Sequence, residues 1–165
     1  MYLETSRLIV RELQNDDAQF IYELLNSEAF IKNIGDRGVH TLEQAQQKIE
    51  SFYQGLYPDY GLFIVVDKTN TQAMGTVSYL KRDYLEFDDI GYAFLSEFWG
   101  KGYALEATQA LLNHKLNSGV KQVLGIVDKD NPPSIRLLEK LNFKIEGELV
   151  IEGDTKPILK MAYKI

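Results

Sequence analysis

Residues 90–104 read Ile90-Gly91-Tyr92-Ala93-Phe94-Leu95-Ser96-Glu97-Phe98-Trp99-Gly100-Lys101-Gly102-Tyr103-Ala104, and the rest of the chain is organised around them. It predicts a strand, a glycine-bearing turn and a helix that runs on to Ser118. Gly100 and Gly102 permit backbone conformations that a Cβ would resist, so successive N–H groups can point inward at the start of the helix. Free N–H groups and the helix dipole favour a phosphate there, and Lys101 adds a charge at the rim. A tight turn without a ligand is equally compatible with the Gly-x-Gly spacing alone.

The composition is typical of one globular domain with a substantial core. The chain has 165 residues, of which 45% are hydrophobic and 12% aromatic. No stretch approaches the roughly 20 apolar residues of a membrane span, and residues 1–10 lack the apolar core of a secretion signal. Cysteine is absent, which excludes disulfides, thiolate metal sites and a cysteine nucleophile. We therefore expect a single domain over residues 1–165, in the cytoplasm and without a membrane partner.

The charge and the histidines narrow the classes of partner. A formal net charge of −6 argues against binding duplex nucleic acid, which requires a basic face, and favours a cationic amine. His40 and His114 lack metal-ligand spacing with each other or with nearby acids, so we expect no metal site. A monomer and a homodimer are both compatible with the sequence.

The first part of the chain alternates between strand and helix patterns. Residues 3–13 predict a strand, and an acidic first turn at 15–17 predicts a helix ending near Ser27. Residues 28–40 contain two glycines and predict a loop. Thr41, followed three residues later by Gln44, resembles a capping box and predicts a second helix.

The rest of the chain predicts further strands and two helices around the central strand. The strands are expected at residues 62–66, 73–80, 122–127, 143–150 and 158–165, and the helices at 103–118 and 132–141. This order lacks the repeated βαβ units of a dinucleotide fold, and the turn lacks the Gly-Lys-Ser/Thr ending of a nucleoside triphosphatase. It predicts an α/β domain with a mixed, mostly antiparallel sheet flanked by helices.

Four motifs together resemble the GNAT superfamily of acyl-CoA-dependent N-acyltransferases. They are Leu3-Glu4-Thr5-Ser6-Arg7-Leu8 with Arg11, Ile90-Gly91-Tyr92, Trp99-Gly100-Lys101-Gly102-Tyr103-Ala104, and Asn131-Pro132-Pro133-Ser134-Ile135-Arg136-Leu137-Leu138-Glu139-Lys140-Leu141-Asn142-Phe143. The resemblance covers nearly the whole chain and is strongest to the branch that contains the ribosomal-protein N-terminal acetyltransferases. Two positions depart from the family pattern. Glu97 stands where Arg or Gln is usual, and Asn142 stands where the branch commonly has glycine.

The resemblance implies acetyl-CoA as co-substrate, bound between the central strand and residues 122–127. It implies that the main chain of Ala93, Phe94 and Leu95 pairs with the pantetheine, and that the turn holds the phosphates through Gly100, Lys101, Gly102, Tyr103 and Ala104. It also implies that Asn131 orients the pantetheine. Arg136 is placed within reach of the CoA phosphates, although a solvated helix face explains it equally well.

The resemblance further implies direct attack of an amine on the thioester, with two catalytic side chains. Ser134 matches a serine that hydrogen-bonds the CoA sulfur and protonates the departing thiolate. The alternative is that Ser134 is only a polar residue in the first turn of a helix, where serine is common. Asp89 matches an acidic residue that takes the amine proton through water; its alternative is a solvated charge at a strand start. Tyr92 is favoured as a core aromatic over a channel residue.

The sequence says least about the acceptor, the amine that receives the acetyl group. The branch resemblance favours a peptide or protein α-amine, and a small amine such as a polyamine or an aminoglycoside-like molecule is the alternative. A non-catalytic CoA-binding module and a purely structural domain are the rivals from other classes. Acceptor recognition is expected from residues 28–40, 57–61 and 154–158, because loops diverge freely around a shared scaffold.

Overall fold

A computed structural model describes residues 1–165, and eight strands form a single sheet. The strands are β1 (Tyr2–Glu4), β2 (Leu8–Glu12), β3 (Gly61–Asp67), β4 (Ala73–Leu80), β5 (Asp89–Phe94), β6 (Gln122–Val127), β7 (Lys144–Leu149) and β8 (Ile158–Lys164). Across the sheet their order is β1-β2-β3-β4-β5-β6-β8-β7. Every neighbouring pair is antiparallel except β5 with β6, which is parallel. The predicted mixed, mostly antiparallel sheet is confirmed.

Six α-helices flank this sheet. They are α1 (Ala18–Leu25), α2 (Glu28–Asn33), α3 (Leu42–Lys48), α4 (Gln54–Leu56), α5 (Tyr103–Asn117) and α6 (Pro132–Lys140). A π-helical turn, Ile49–Tyr53, joins α3 to α4, and short 3₁₀ turns lie at Asn15–Asp17 and Ser96–Phe98. None of the helices combines the length and apolar character that crossing a membrane requires.

Two hydrophobic clusters lie on opposite faces of the sheet. Strand β3 contributes to both, because successive side chains of a strand point to opposite faces. Phe63 and Val65 pack in the cluster that includes α5 and α6. Ile64 and Val66 pack in the cluster that includes α1 and α3. The sheet is therefore covered by helices on both faces at β3.

Two local predictions are wrong. The expected single strand over residues 3–13 is a hairpin of β1 and β2, because the Thr5 hydroxyl accepts from the N–H of Leu8 at 2.9 Å and closes a turn between them. The expected loop over residues 28–40 contains α2, a helix too short to leave a periodic pattern. Ser27 caps α2 by accepting from the N–H of Phe30 at 3.3 Å, and the Phe30 side chain is buried.

Other local predictions are confirmed. Strands β3 and β4 form an antiparallel hairpin. Helix α3 begins with the expected capping box, in which Thr41 Oγ1 accepts from the N–H of Gln44 at 3.1 Å. The elements from β4 to β8 begin and end within about two residues of their expected bounds, which is the ordinary scatter of element ends.

Candidate active site

The cleft at the centre of the sheet lies between β5 and β6. These two parallel strands pair at one position, Asp89 with Leu124. Both then continue, to Phe94 and to Val127, without further pairing. Their carboxyl ends therefore diverge, and the edge of β5 that faces β6 has main-chain groups free for a ligand.

The direction of the main chain decides which β5 residues offer those groups. The N–H of Leu95 donates to the carbonyl of Met74 at 3.1 Å, and the Leu95 carbonyl accepts from the N–H of Phe98 at 3.0 Å. Leu95 is thus engaged on the side of β4. Neighbouring residues of a strand direct their main-chain groups to opposite sides, so Ala93 also faces β4 while Tyr92 and Phe94 face the cleft.

The Phe94 carbonyl already has a partner in the turn that follows. It accepts a hydrogen bond from the indole N–H of Trp99 at 2.9 Å, while half of the Trp99 side chain stays exposed. Of the three residues predicted to offer main-chain contacts, Ala93 and Leu95 face β4, and Phe94 faces the cleft with a free N–H. Tyr92, which the sequence did not single out for this role, supplies the other free groups.

The glycine turn has the conformation that an anion site requires. Gly100 and Gly102 have φ angles of +75° and +80°, in the left-handed region that favours glycine. The first intrahelical bond of α5 runs from the N–H of Glu106 to the carbonyl of Gly102 at 3.0 Å. The N–H groups of Tyr103 and Ala104 therefore have no intrahelical partner, and together with the turn they fit a pyrophosphate.

The charged side chains predicted near the phosphates are exposed. Lys101 folds back over the turn, and its Nζ donates to the carbonyl of Glu97 at 3.3 Å. Glu97 lies on the exposed 3₁₀ turn before the glycines, and it supplies no donor there because an ionised carboxylate only accepts hydrogen bonds. Arg136 is exposed on α6 and forms no ion pair. The turn consequently depends mainly on backbone N–H groups for its attraction to an anion.

Ser134 lies in the first turn of α6, beside the cleft. Its Oγ is 2.5 Å from the hydroxyl of Tyr92, which extends from β5. Asn131 is the N-cap of α6, and its side-chain oxygen accepts from the N–H of Ser134 at 3.4 Å. Burial raises the pKa of the Tyr92 phenol, and the hydrogen bond with Ser134 opposes that rise. Tyr92 packs against the core, as the sequence favoured, and its hydroxyl also reaches Ser134.

Asp89 occupies the closed end of the cleft. Only 2% of the residue is exposed, and its carboxylate accepts from Nε of Arg82 at 2.8 Å. The alternative of a solvated charge is therefore wrong. Burial raises the pKa of the Asp89 carboxyl, and the charge of Arg82 works against that rise. By strand alternation its side chain is on the face of Ala93, opposite to that of Tyr92.

The connection between β4 and β5 carries further acidic groups at this end. Asp83 and Glu86 are exposed, and Asp88 accepts from the hydroxyl of Tyr60 at 3.3 Å. Tyr60 belongs to the predicted acceptor loop at residues 57–61, which brings that loop to the start of β5. The negative charge there suits a cationic ligand.

The sequence matches a known protein family over most of its length. Residues 7–144 match the family model described as an acetyltransferase (GNAT) domain. An uncharacterized N-acetyltransferase of Bacillus subtilis (strain 168), YoaA, is 28% identical over 151 residues, which cover 89% of this chain and 85% of the relative.

Solved structures share the fold over nearly their whole length. A GNAT-family acetyltransferase from Bacillus anthracis has a TM-score of 0.84 and 22% identity, covering 99% of this chain and 98% of its own. A ribosomal-protein-S5-alanine acetyltransferase from Vibrio fischeri has a TM-score of 0.81 and 23% identity, covering 99% and 96%. At these identities the likeness is one of fold.

Proposed function

The chain belongs to the acetyltransferase (GNAT) family, and we propose that it transfers an acetyl group from acetyl-CoA to the α-amine of a peptide or protein. The observation that carries the proposal is the arrangement of groups around β5. Ser134 and Tyr92 stand on one face of that strand, Asp89 stands on the other, and the unpaired edge of β5 lies between them.

The glycine turn and the edge of β5 hold acetyl-CoA. The turn binds the pyrophosphate through the N–H groups of Gly102, Tyr103 and Ala104. The free main chain of Tyr92 and Phe94 pairs with the amides of the pantetheine, which takes the position of a missing strand. The Asn131 amide nitrogen is left to orient the same arm, because its oxygen is occupied by the cap of α6.

Ser134 protonates the leaving group. As the amine bonds to the carbonyl carbon, the carbon–sulfur bond breaks, and Ser134 donates its hydroxyl proton to the departing thiolate. Tyr92 donates in turn to Ser134 across the short hydrogen bond. Burial raises the pKa of the Tyr92 phenol, so it is protonated at neutral pH before the step, and it regains its proton from solvent after the thiol has left.

Asp89 receives the proton of the ammonium through water. An ammonium has no lone pair, so it must lose a proton before it can attack. Asp89 is on the face opposite to Ser134, so the amine approaches from one side while the thiolate leaves on the other. Its raised pKa makes it a better proton acceptor than an ordinary aspartate, although the ion pair with Arg82 opposes part of that rise.

An α-amine suits this weak base better than a lysine side chain does. Reference pKa values are about 7.7 to 8.0 for an α-amine and about 10.4 for lysine, so at pH 7 roughly a tenth of the former is neutral, against about one part in 2,500 of the latter. The acidic residues Asp83, Glu86 and Asp88 favour the cationic form during approach.

Thiol release from acetyl-CoA tests the proposal. Peptides that differ only in their first two residues are compared with the same peptides blocked at the N-terminus, and with polyamines and aminoglycosides. We expect release with at least one free peptide and none with its blocked form. Turnover of a small amine alone would overturn the acceptor class and leave the acetyltransferase assignment intact.

A further inference from the structure

We infer that the turn between β1 and β2 is a latch on the glycine turn, and that Arg7 is a positioning residue for acetyl-CoA. The latch consists of Thr5, Ser6, Arg7 and Glu106. The inference rests on the proposed function only in taking the glycine turn as the pyrophosphate site. Neither the motif that contains Arg7 nor the composition of α5 predicts the contact between Arg7 and Glu106.

Glu106 gathers the turn between β1 and β2 onto the start of α5. Its Oε1 accepts from the Thr5 hydroxyl at 2.6 Å, the Ser6 hydroxyl at 3.2 Å and the N–H of Arg7 at 3.0 Å. Its Oε2 accepts from Nε of Arg7 at 2.7 Å and lies 2.6 Å from Nη2. Five contacts thus fix one carboxylate in the first turn of the helix, where the dipole also favours negative charge.

Arg7 extends from this carboxylate to the glycine turn. Its Nη1 donates to the carbonyl of Lys101 at 2.9 Å, and its guanidinium carbon lies 4.4 Å from the centre of the Tyr103 ring. A Cβ on Gly102 would stand 3.4 Å from Nη2. The guanidinium therefore contacts the residues immediately before and after Gly102 and borders Gly102 itself.

The captured carbonyl sets the direction of an N–H group. In a trans peptide unit the C=O of one residue and the N–H of the next point in opposite directions. Because the Lys101 carbonyl is held toward Arg7, the N–H of Gly102 is directed to the other side, where the pyrophosphate lies. Arg7 acts on the co-substrate through this peptide unit, since its own charge is already paired with Glu106.

The latch is expected to affect binding more than stability. The Arg7 side chain is 43% exposed, and exposed ion pairs contribute little to folding. The orientation of the Gly102 N–H, by contrast, matters directly to an anion that it must contact. Loss of Arg7 should therefore weaken acetyl-CoA binding without a matching loss of melting temperature.

The test compares Arg7→Gln, Glu106→Gln and the double variant with Arg11→Gln, using calorimetric titration of CoA. Arg11 is a matched control because it is on β2 and pairs with Asp17 at 2.8 Å, away from the glycine turn. We expect each latch variant to bind CoA about tenfold more weakly, and the double variant to lose little more, because both break one network. The KM for acetyl-CoA should rise in parallel, with kcat and the acceptor KM unchanged, and Arg11→Gln should bind normally.

Arg7→Lys separates orientation from charge. Lysine keeps the charge but cannot contact Glu106, the Lys101 carbonyl and the Tyr103 ring together. The affinity of Arg7→Lys for CoA should therefore also fall. Full affinity in Arg7→Lys or in Arg7→Gln would overturn the latch. Failure of the unmodified protein to bind CoA would instead overturn the proposed function, so the two failures are distinguishable.

Discussion

The hydroxyl of Tyr92 lies 2.5 Å from Oγ of Ser134, although 42 positions separate the two residues in the chain. The contact joins β5 to the first turn of α6 beside the unpaired edge of β5. Two hydroxyls in line can pass a proton, because each is both donor and acceptor. The pair therefore gives Ser134 a source for the proton that it loses to the thiolate.

Replacing Ser134 tests that role. Ser134→Ala should lower kcat by about one to three orders of magnitude with little change in CoA affinity, because proton donation acts in the transition state. Tyr92→Phe should lower kcat by about tenfold, since Ser134 remains but loses its donor. Tyr163→Phe is the control: Tyr163 is on β8, where its ring packs against that of Phe143, so kcat should not change. Equal turnover in Ser134→Ala would reduce the serine to a residue of the helix start.

Gly102→Glu tests the pyrophosphate site. The substitution places bulk and negative charge at the turn, so CoA binding should be abolished in calorimetry while the fold is retained. Gly119→Glu is a matched control at the other end of α5, because both glycines have positive φ angles, +80° and +102°, and a Cβ at Gly119 meets nothing within 4 Å. Unchanged affinity for CoA in Gly102→Glu would show that the glycine turn does not bind the pyrophosphate.

The Asp89–Arg82 pair gives a prediction about pH. The charge of Arg82 favours the ionised carboxylate, so Arg82→Gln should raise the pKa of Asp89 further. A base must be ionised to accept a proton. In a profile of kcat/KM against pH, the ionisation of Asp89 should therefore move to higher pH in Arg82→Gln, while the rise that reports the amine stays in place. Asp89→Asn should lose about two orders of magnitude in kcat/KM.

A purely structural pair would behave differently. Asp89→Asn lowers the melting temperature in either case, because it leaves the Arg82 charge unpaired, but in a purely structural pair kcat in the folded protein would stay near the original value. Measuring melting temperature and the pH profile on the same preparations distinguishes the two roles.

The lowered pKa of Glu106 predicts that the protein loses stability in acid. Burial alone would raise its pKa, but the hydrogen bonds from Thr5 and Arg7 outweigh burial and lower it. The stability that Glu106 contributes is therefore present above its unfolded pKa of about 4.3 and is lost as pH falls through the lower folded value. The melting temperature of the unmodified protein should exceed that of Glu106→Gln at pH 6, and the difference should shrink below about pH 4. A constant difference would contradict this account.

The sequence predicted what depends on local pattern and missed what depends on tertiary contact. Gly100 and Gly102 mark the turn because their left-handed backbone is a local property. The Tyr92–Ser134 and Arg7–Glu106 contacts have no local period, since strand register and helix placement bring their members together. The burial of Asp89 was hidden for the same reason: its sequence neighbours are acidic, and only the fold places Arg82 over it.

The acceptor class gives the last prediction. With a carboxylate as the only proposed base, the reaction depends on amine that is already close to neutral, so kcat/KM for a peptide α-amine should rise between about pH 6 and 8 and then level off. A lysine side chain in the same peptide, with its N-terminus blocked, should still be gaining rate above pH 9, because its pKa is about 10.4. Stopped assays of the acetylated product at saturating acetyl-CoA, over about pH 5.5 to 9.5, distinguish the α-amine from the lysine side chain. A rate that favours the blocked, lysine-bearing peptide at every pH would overturn the α-amine proposal, and a flat profile for the free peptide would show that proton removal does not limit kcat/KM.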